Sequence, residues 1–307
     1  MQITGLTKEN VYDYLDFLPV DIAECIEREF TCGFVCVKEG EDAPSAGIVW
    51  ELKQGDDELD IKSHILFMKA LDEESANVLM DEYTESALLA ECGSSYYSLP
   101  NTLGGVEINA LKKAGFSLEE KESSVISVSL SEIIKRLLKH GDGQYDNIKP
   151  LSQAEDRFFS SMIAELEFEG NHGICDDLLF LPREFFDNDV SCYYEDDEEV
   201  YAIVLVHEKP SGKIELDLLH SHDKDPNTLI HIMKKTVLLA EAKYDLSTEF
   251  LIDRHDERSL SLCQILFPKK TGEKVYEGMR KEQLPESKEI DTRFYNEEEW
   301  DEDFEEY

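Results

Sequence analysis

The chain has 307 residues, 41% of them hydrophobic, and carries 69 acidic against 30 basic side chains for a formal net charge of -39. That length fits two domains of about 150 residues, each able to bury its own core, and the apolar share is that of a folded chain rather than a disordered one. So many carboxylates repel nucleic acid and anionic lipid, which excludes both as expected partners and favours basic or cationic ones.

No apolar run approaches the roughly 18 to 20 residues that span a bilayer, and the opening MQITGLTKEN lacks the basic and apolar regions of a signal peptide. The expected location is therefore the cytoplasm. The seven cysteines (Cys25, Cys32, Cys36, Cys92, Cys175, Cys192 and Cys263) are scattered and odd in number, so reduced thiols are expected rather than disulfides.

In chain order, Ile3 to Thr7 predicts a short strand and Glu9 to Phe17 a helix. FVCVKEG and AGIVWELK predict a hairpin around the turn from Glu39 to Ser45, and His64 to Met68 another strand. Ser75-Ala76 starts a long helix that ends near Gly93. Ser94 to Leu99 reads as a strand, Asn109 to Phe116 as a short helix ending in Gly-Phe, and Ser124 to Leu130 as the closing strand of the first unit. A helix from Ser131 to His140 and the Gly141-Asp142-Gly143 turn follow as a linker.

The pattern then repeats. Ile148 to Ser152 opens a second unit in the same Ile-x-x-Leu-Thr/Ser form, with a helix from Ala154 to Glu167. VSCYYEDDEEVYAIVLVHEK runs to a turn at Pro210-Ser211-Gly212, and Ile214 to Leu219 is the next strand. Asp225-Pro226 starts the second long helix, Pro suiting the first helical position. Thr248 to Asp253, a helix over Ser261 to Phe267 and a weak strand from Lys274 to Met279 complete the unit. NVLMDEYTESALLAEC from Asn77 and NTLIHIMKKTVLLAEA from Asn227 match at an offset of 150, including Leu88-Leu89-Ala90-Glu91 against Leu238-Leu239-Ala240-Glu241. The order of matches marks a duplicated domain, with Leu-Leu-Ala-Glu expected on the packing face. From Pro285 the chain turns acidic with interspersed aromatics, which predicts a solvated tail or one docking Phe294, Tyr295, Trp300 and Phe304 on a groove.

The Ile-x-x-Leu-Thr opening, the AGIVWEL and YAIVLV strands, the capped helix after ILFMKAL and Leu111-Lys-Lys-Ala-Gly-Phe116 together resemble the GNAT superfamily of N-acetyltransferases. The resemblance implies an α/β (α+β) chain of two tandem acyl-CoA N-acyltransferase-like domains, each a mixed, mostly antiparallel sheet flanked by helices. They would span 1–133 and 147–283, with a linker at 134–146 and the tail at 284–307. It also implies acetyl-CoA as cofactor and an amine, or a basic protein or peptide, as acceptor.

The family's pyrophosphate loop, Arg/Gln-x-x-Gly-x-Gly/Ala, uses glycines and a helix N-terminus to bring backbone N–H groups to the phosphates. The matching positions are Ser75, Ala76 and Asn77 in one half and Asp225 and Asn227 in the other. Neither loop has a glycine or the basic residue, both carry carboxylates, and Pro226 has no N–H. Where many members place a general-acid Tyr stand Leu111 and Leu262, which cannot transfer protons. The candidate catalytic residues that remain are Glu51 and Glu215, to orient an amine or take its proton, and Tyr97 in place of the missing acid.

Among other groupings, His220 and His222 with Asp217, Asp223 and Asp225 could bind a metal, but solvated residues at a strand end explain them more simply, so no metal is expected. Cys32 with Cys36 reads as packing, and His172 with Cys175 as loop residues. Two readings follow. One is acetyl transfer to an amine through an atypical loop; the other is a non-catalytic binding or scaffold protein, a pseudoenzyme on the same fold engaging a basic partner.

Overall fold

The computed structural model describes residues 1–54, 60–139, 147–168, 181–196, 199–222, 226–254 and 257–282. The first half runs β1 (Gln2–Gly5), α1 (Val20–Cys25), β2 (Thr31–Val37), β3 (Pro44–Gln54), β4 (Ile61–Ala70), α2 (Glu73–Leu89), β5 (Cys92–Pro100), α3 (Gly105–Lys113), β6 (Glu119–Glu122), β7 (Val125–Ser129) and α4 (Leu130–Leu137). The second runs β8 (Ile148–Pro150), α5 (Asp156–Phe168), β9 (Cys192–Asp196), β10 (Glu199–Glu208), β11 (Ile214–Ser221), α6 (Pro226–Lys243), β12 (Glu249–Asp253), α7 (Glu257–Leu266) and β13 (Lys274–Lys281). The helix expected over Glu9 to Phe17 is instead a 3-10 turn, Val11–Tyr14, followed by α1. Pro19 disfavours helical geometry at Leu18, so one helix cannot run through both.

Two mixed sheets result, and their closing strands are exchanged. One sheet has the order β1-β2-β3-β4-β5-β13-β6, the other β7-β12-β11-β10-β9-β8. Thus β7, expected to close the first unit, pairs antiparallel with β12 of the second. Strand β13, expected to close the second, lies between β5 and β6 of the first. Each sheet therefore takes one strand from across the 134–146 segment. Helix α4 follows β7 across: Leu130, Ile133 and Leu137 are buried in the second core with Leu229, Met233 and Phe250.

The exchange is held by side chains as well as by ladders. Arg280 on β13 is buried in the first half, where it bonds the Ala114 carbonyl at 2.9 Å and Glu282 at 2.7 Å and lies over the rings of Tyr83 and Phe116. Gly278 faces Tyr97 on β5, and a Cβ there would stand 1.9 Å from the Ser117 carbonyl oxygen. Only glycine fits that approach.

The repeat is real in the helices, with one correction. Leu79, Met80, Tyr83 and Ala87 on α2 are buried, as are Leu229, Ile230, Met233 and Val237 on α6 at the same offset of 150. The Leu-Leu-Ala-Glu match is only partly on the packing face: Leu89 is 79% exposed and Leu238 48%, while Ala240 is buried and Leu239 packs against the second core. Helical periodicity explains it, since the buried stripe at i, i+4 and i+8 leaves Leu89 and Leu238 on the outer side.

Candidate functional site

The two strands flanking each long helix part company as parallel pairs. Strands β4 and β5 pair from Ile61↔Cys92 to Ile65↔Tyr97, and pairing stops there. Strands β11 and β12 pair only at Ile214↔Phe250 and Glu215↔Leu251. Each half thus has a wedge between its central strands at the start of its long helix, next to a bulge in the neighbouring ladder.

In the first half the chain's own carboxylates hold the amides at this wedge. The Ala70 N–H, at the end of β4, donates to Glu107 Oε1 of α3 at 3.0 Å, and Glu107 is buried. At the start of α2, the Ser75 N–H donates to Asp72 Oδ1 at 3.0 Å, and Asp72 is paired with Lys38 at 2.9 Å. The Ser75 amide bond, with Lys38, brings the Asp72 carboxyl down to about 2. Ser75 and Ala76 are fully buried, the Ser75 hydroxyl lies 2.8 Å from that of Ser45, and Asn77 bonds back to the Glu73 carbonyl at 2.6 Å. Leu99 of β5, Leu111 of α3 and Phe116 belong to the buried core of this half, with Ala76 and Leu79 of α2. In the second half Asn227 lies exposed in the first turn of α6, while Asp225 lies outside the described residues, as do Asp223, His172 and Cys175.

On the opposite face of the first sheet lies a cavity of about 950 Å³, walled by β3, β4, β5 and β13, by α1, and by the β10–β11 turn region of the second half. Small-molecule sites commonly have such a size. Its lining is mixed in charge: Asp21, Glu51, Glu119, Glu215, Asp253 and Glu277 stand among Arg28, Lys53, Lys62, Lys121 and Lys209. A chain with 69 acidic and 30 basic residues has thus gathered cations here.

The duplication is sharpest in this cavity. Glu51 on β3 lies directly opposite His64 on β4, with Glu51 Oε1 2.8 Å from His64 Nδ1. The His64 ring stacks on Tyr96 of β5 at 4.3 Å and 8°. The equivalent pair in the second half is His207 on β10 opposite Glu215 on β11, the same two residue types transposed. Two residues after the first member of each pair stands a lysine: Lys53, 3.2 Å from Glu51, and Lys209, 2.6 Å from Glu215. Burial pushes the Glu51 carboxyl up, but His64 and Lys53 together bring it down to about 2. With Glu51 ionised, the proton between them sits on His64 Nδ1. The His64 Nε2 is buried with no hydrogen-bond partner.

Of the sequence candidates, Glu51 and Glu215 therefore meet in one cavity. Tyr97 borders it but is committed elsewhere: its hydroxyl donates to the Ser117 carbonyl at 2.8 Å and its ring packs edge-on against Phe116. Burial pushes its hydroxyl up to about 12. Sequence reasoning missed His64, Lys53 and Lys209. The signal was available in the two pairs Glu51/Lys53 and His207/Lys209, each two residues apart on a strand and so on one face. His220 and His222 stand with rings 5.2 Å apart, one buried and one exposed, and Asp217 turns away from them to His207. Cys36, Cys92, Cys192 and Cys263 are buried free thiols, and Cys32 is an exposed one.

No family model matches the chain, and no curated protein matches it. Solved structures do. A tandem GNAT protein from the clavulanic acid biosynthesis pathway superposes over 92% of this chain and 99% of its own, with TM-score 0.58 and 10% identity. A GCN5-related glucosamine N-acetyltransferase region of a fungal multi-domain GH3 β-N-acetylglucosaminidase matches over 91% of this chain and 38% of its own, with TM-score 0.55 and 10% identity. A conserved protein of unknown function from Enterococcus faecalis V583 matches over 92% and 73%, with TM-score 0.50 and 13% identity. The chain thus has the GNAT N-acetyltransferase fold, in tandem. No helix among the described residues is long and apolar enough to cross a membrane.

Proposed function

We propose that this is a non-catalytic binding protein on a tandem acetyltransferase fold, taking a small amine-bearing or basic ligand in the cavity between its halves. The observation that carries the reading is the self-occupied wedge of the first half. An acyl-CoA there would need the amides at Ala70 and Ser75, and Glu107 and Asp72 hold both. Two carboxylates at that place also repel phosphate. The cavity, by contrast, is lined by His64, whose buried Nε2 lacks a donor when the imidazole is neutral, and by Glu51 and Glu215. An ammonium or amide N–H supplies that donor, and the overall charge of -39 draws cations toward it.

The test is a thermal-shift screen of the full chain against small amines, amino acids and basic peptides. A true ligand at 100 times its Kd adds about 2.7 kcal/mol, and His64→Phe is expected to abolish that gain. A shift unchanged in His64→Phe would remove the cavity from the account.

A second reading has one observation in its favour. Strands β11 and β12 pair over two residues, fewer than β4 and β5, and no carboxylate among the described residues is seen to hold an amide in that wedge. Acetyl-CoA bound there would deliver an acetyl group to an amine, with release of a thiol. Thiol release dependent on both acetyl-CoA and an amine would favour this reading over the first.

A further inference from the structure

The junction between the halves contains a group of side chains of which only Glu215 enters the proposed function. His207 is 1% exposed and sits on β10 facing three carboxylates. Its Nδ1 is 2.8 Å from both carboxylate oxygens of Asp217, the bulge residue of β11. Its Nε2 points the other way, 3.8 Å from Glu215 Oε2 and 4.0 Å from Glu24 Oε2 on α1 of the first half. Neither His207 Nε2 nor Glu24 Oε2 has a hydrogen-bond partner, and both atoms are buried. His207 Nε2 thus lies near one oxygen of each carboxylate, at separations too long for a hydrogen bond, and His207, Glu215 and Asp217 bring their ligand atoms within 4.8 Å of one another.

We propose that His207, Glu24 and Glu215 form a site for a divalent first-row transition ion that clamps α1 of the first half to β10 and β11 of the second. The chemistry fits: a neutral imidazole and two carboxylates suit zinc, cobalt or manganese. A ligating histidine commonly gives its other N–H to a carboxylate, which is where Asp217 stands. Ligand atoms about 2.0–2.1 Å from a tetrahedral ion are roughly 3.3 Å apart, so toward His207 Nε2 the Glu215 oxygen need close by about 0.5 Å and the Glu24 oxygen by about 0.7 Å. Lys209, 2.6 Å from Glu215 Oε2, and Arg28 are the neighbouring cations. Three carboxyl groups, Glu24, Glu215 and Asp217, stand against these two cations. Glu215 also borders the cavity, which gives an ion a way in. The proposal does not depend on what the cavity holds.

The test is titration of chelator-treated full-length protein with Co²⁺, read by visible absorbance, then displacement by Zn²⁺. The expected result is one equivalent of Co²⁺ with ligand-field bands, a rise in Tm with Zn²⁺, and at least tenfold weaker binding in Glu24→Gln. Asp217→Asn is expected to weaken it about 10–100-fold. Should Asp217→Asn fail to fold, Glu24→Gln on a short surface helix still decides the matter. Absence of bands and of a Tm shift at millimolar ion would overturn the proposal. So would binding equally tight in Glu24→Gln, which would indicate an adventitious ion on an acidic surface.

Discussion

Glu51 and His64 face each other across β3 and β4 with 2.8 Å between Oε1 and Nδ1, and the second half repeats the pair as His207 and Glu215. Duplication kept the cross-strand pairing and the nearby lysine while the two residue types changed places. Neither residue type belongs by preference in a core; Glu51, His64 and Glu215 line the one cavity, and His207 is buried.

For Glu51→Gln the expected cost is about 1–3 kcal/mol by urea unfolding, because it removes a charge-assisted hydrogen bond and leaves His64 less firmly held. Its acid behaviour is distinctive. The folded carboxyl titrates near 2, below the ordinary value of 4.5. Its contribution is therefore complete above the unfolded value and is lost as pH falls toward 2. Stability measured from pH 5 to 2 should fall less steeply in Glu51→Gln than in the parent.

The exchanged strands predict that neither half folds alone. A fragment ending at residue 139 lacks β13, leaving one edge of β5 and the whole of β6 unpaired and Tyr83 and Phe116 without Arg280. It should show no cooperative unfolding, whereas a cooperative monomer would contradict the exchange. Gly278→Ala tests the same point with one atom: overpacking there should cost about 1–3 kcal/mol or more, because backbone at Ser117 must move.

Replacing the groups that fill the first wedge should cost stability and open nothing else. Asp72→Ala removes the α2 cap and is expected to cost about 1 kcal/mol. Glu107→Ala leaves the Ala70 amide unpaired in a buried place, at about 1–3 kcal/mol. Chemical denaturation of each variant checks these values, and a neutral Glu107→Ala would show that the carboxylate is not what satisfies that amide.

His220 is buried and its ring nitrogens have no hydrogen-bond partner. Burial, with Arg258 and His222 nearby, lowers its titration to about 4. The neutral form is therefore favoured in the fold: stability is full above the unfolded value near 6.5 and declines as pH falls toward 4. His220→Leu should flatten the stability profile between those limits, and an unchanged slope would assign it to other groups.

The order of elements was legible because each depends on local signals: the Gly115-Phe116 turn, with φ +90 at Gly115, the helix start at Pro226, and the apolar runs of β3 and β10; the first long helix, expected to start at Ser75-Ala76, starts at Glu73 with Asp72 as its cap. The strand exchange was not legible. Val125–Ser129 and Lys274–Lys281 carry the same alternation whichever sheet they join, and that choice is made by tertiary partners such as Arg280 and Gly278. Likewise Glu51 and Glu215 could be picked from strand position, but their histidine partners depend on cross-strand register, which a single chain does not display. The Leu-Leu-Ala-Glu match misled because identity at an offset marks common origin without saying which side of a helix is buried.

The central claim is that this tandem acetyltransferase fold binds through the cavity between its halves and does not take acetyl-CoA. Isothermal titration of acetyl-CoA into the full-length protein measures it most directly. The account predicts no saturable heat up to millimolar ligand, whereas stoichiometric, saturable binding would contradict it.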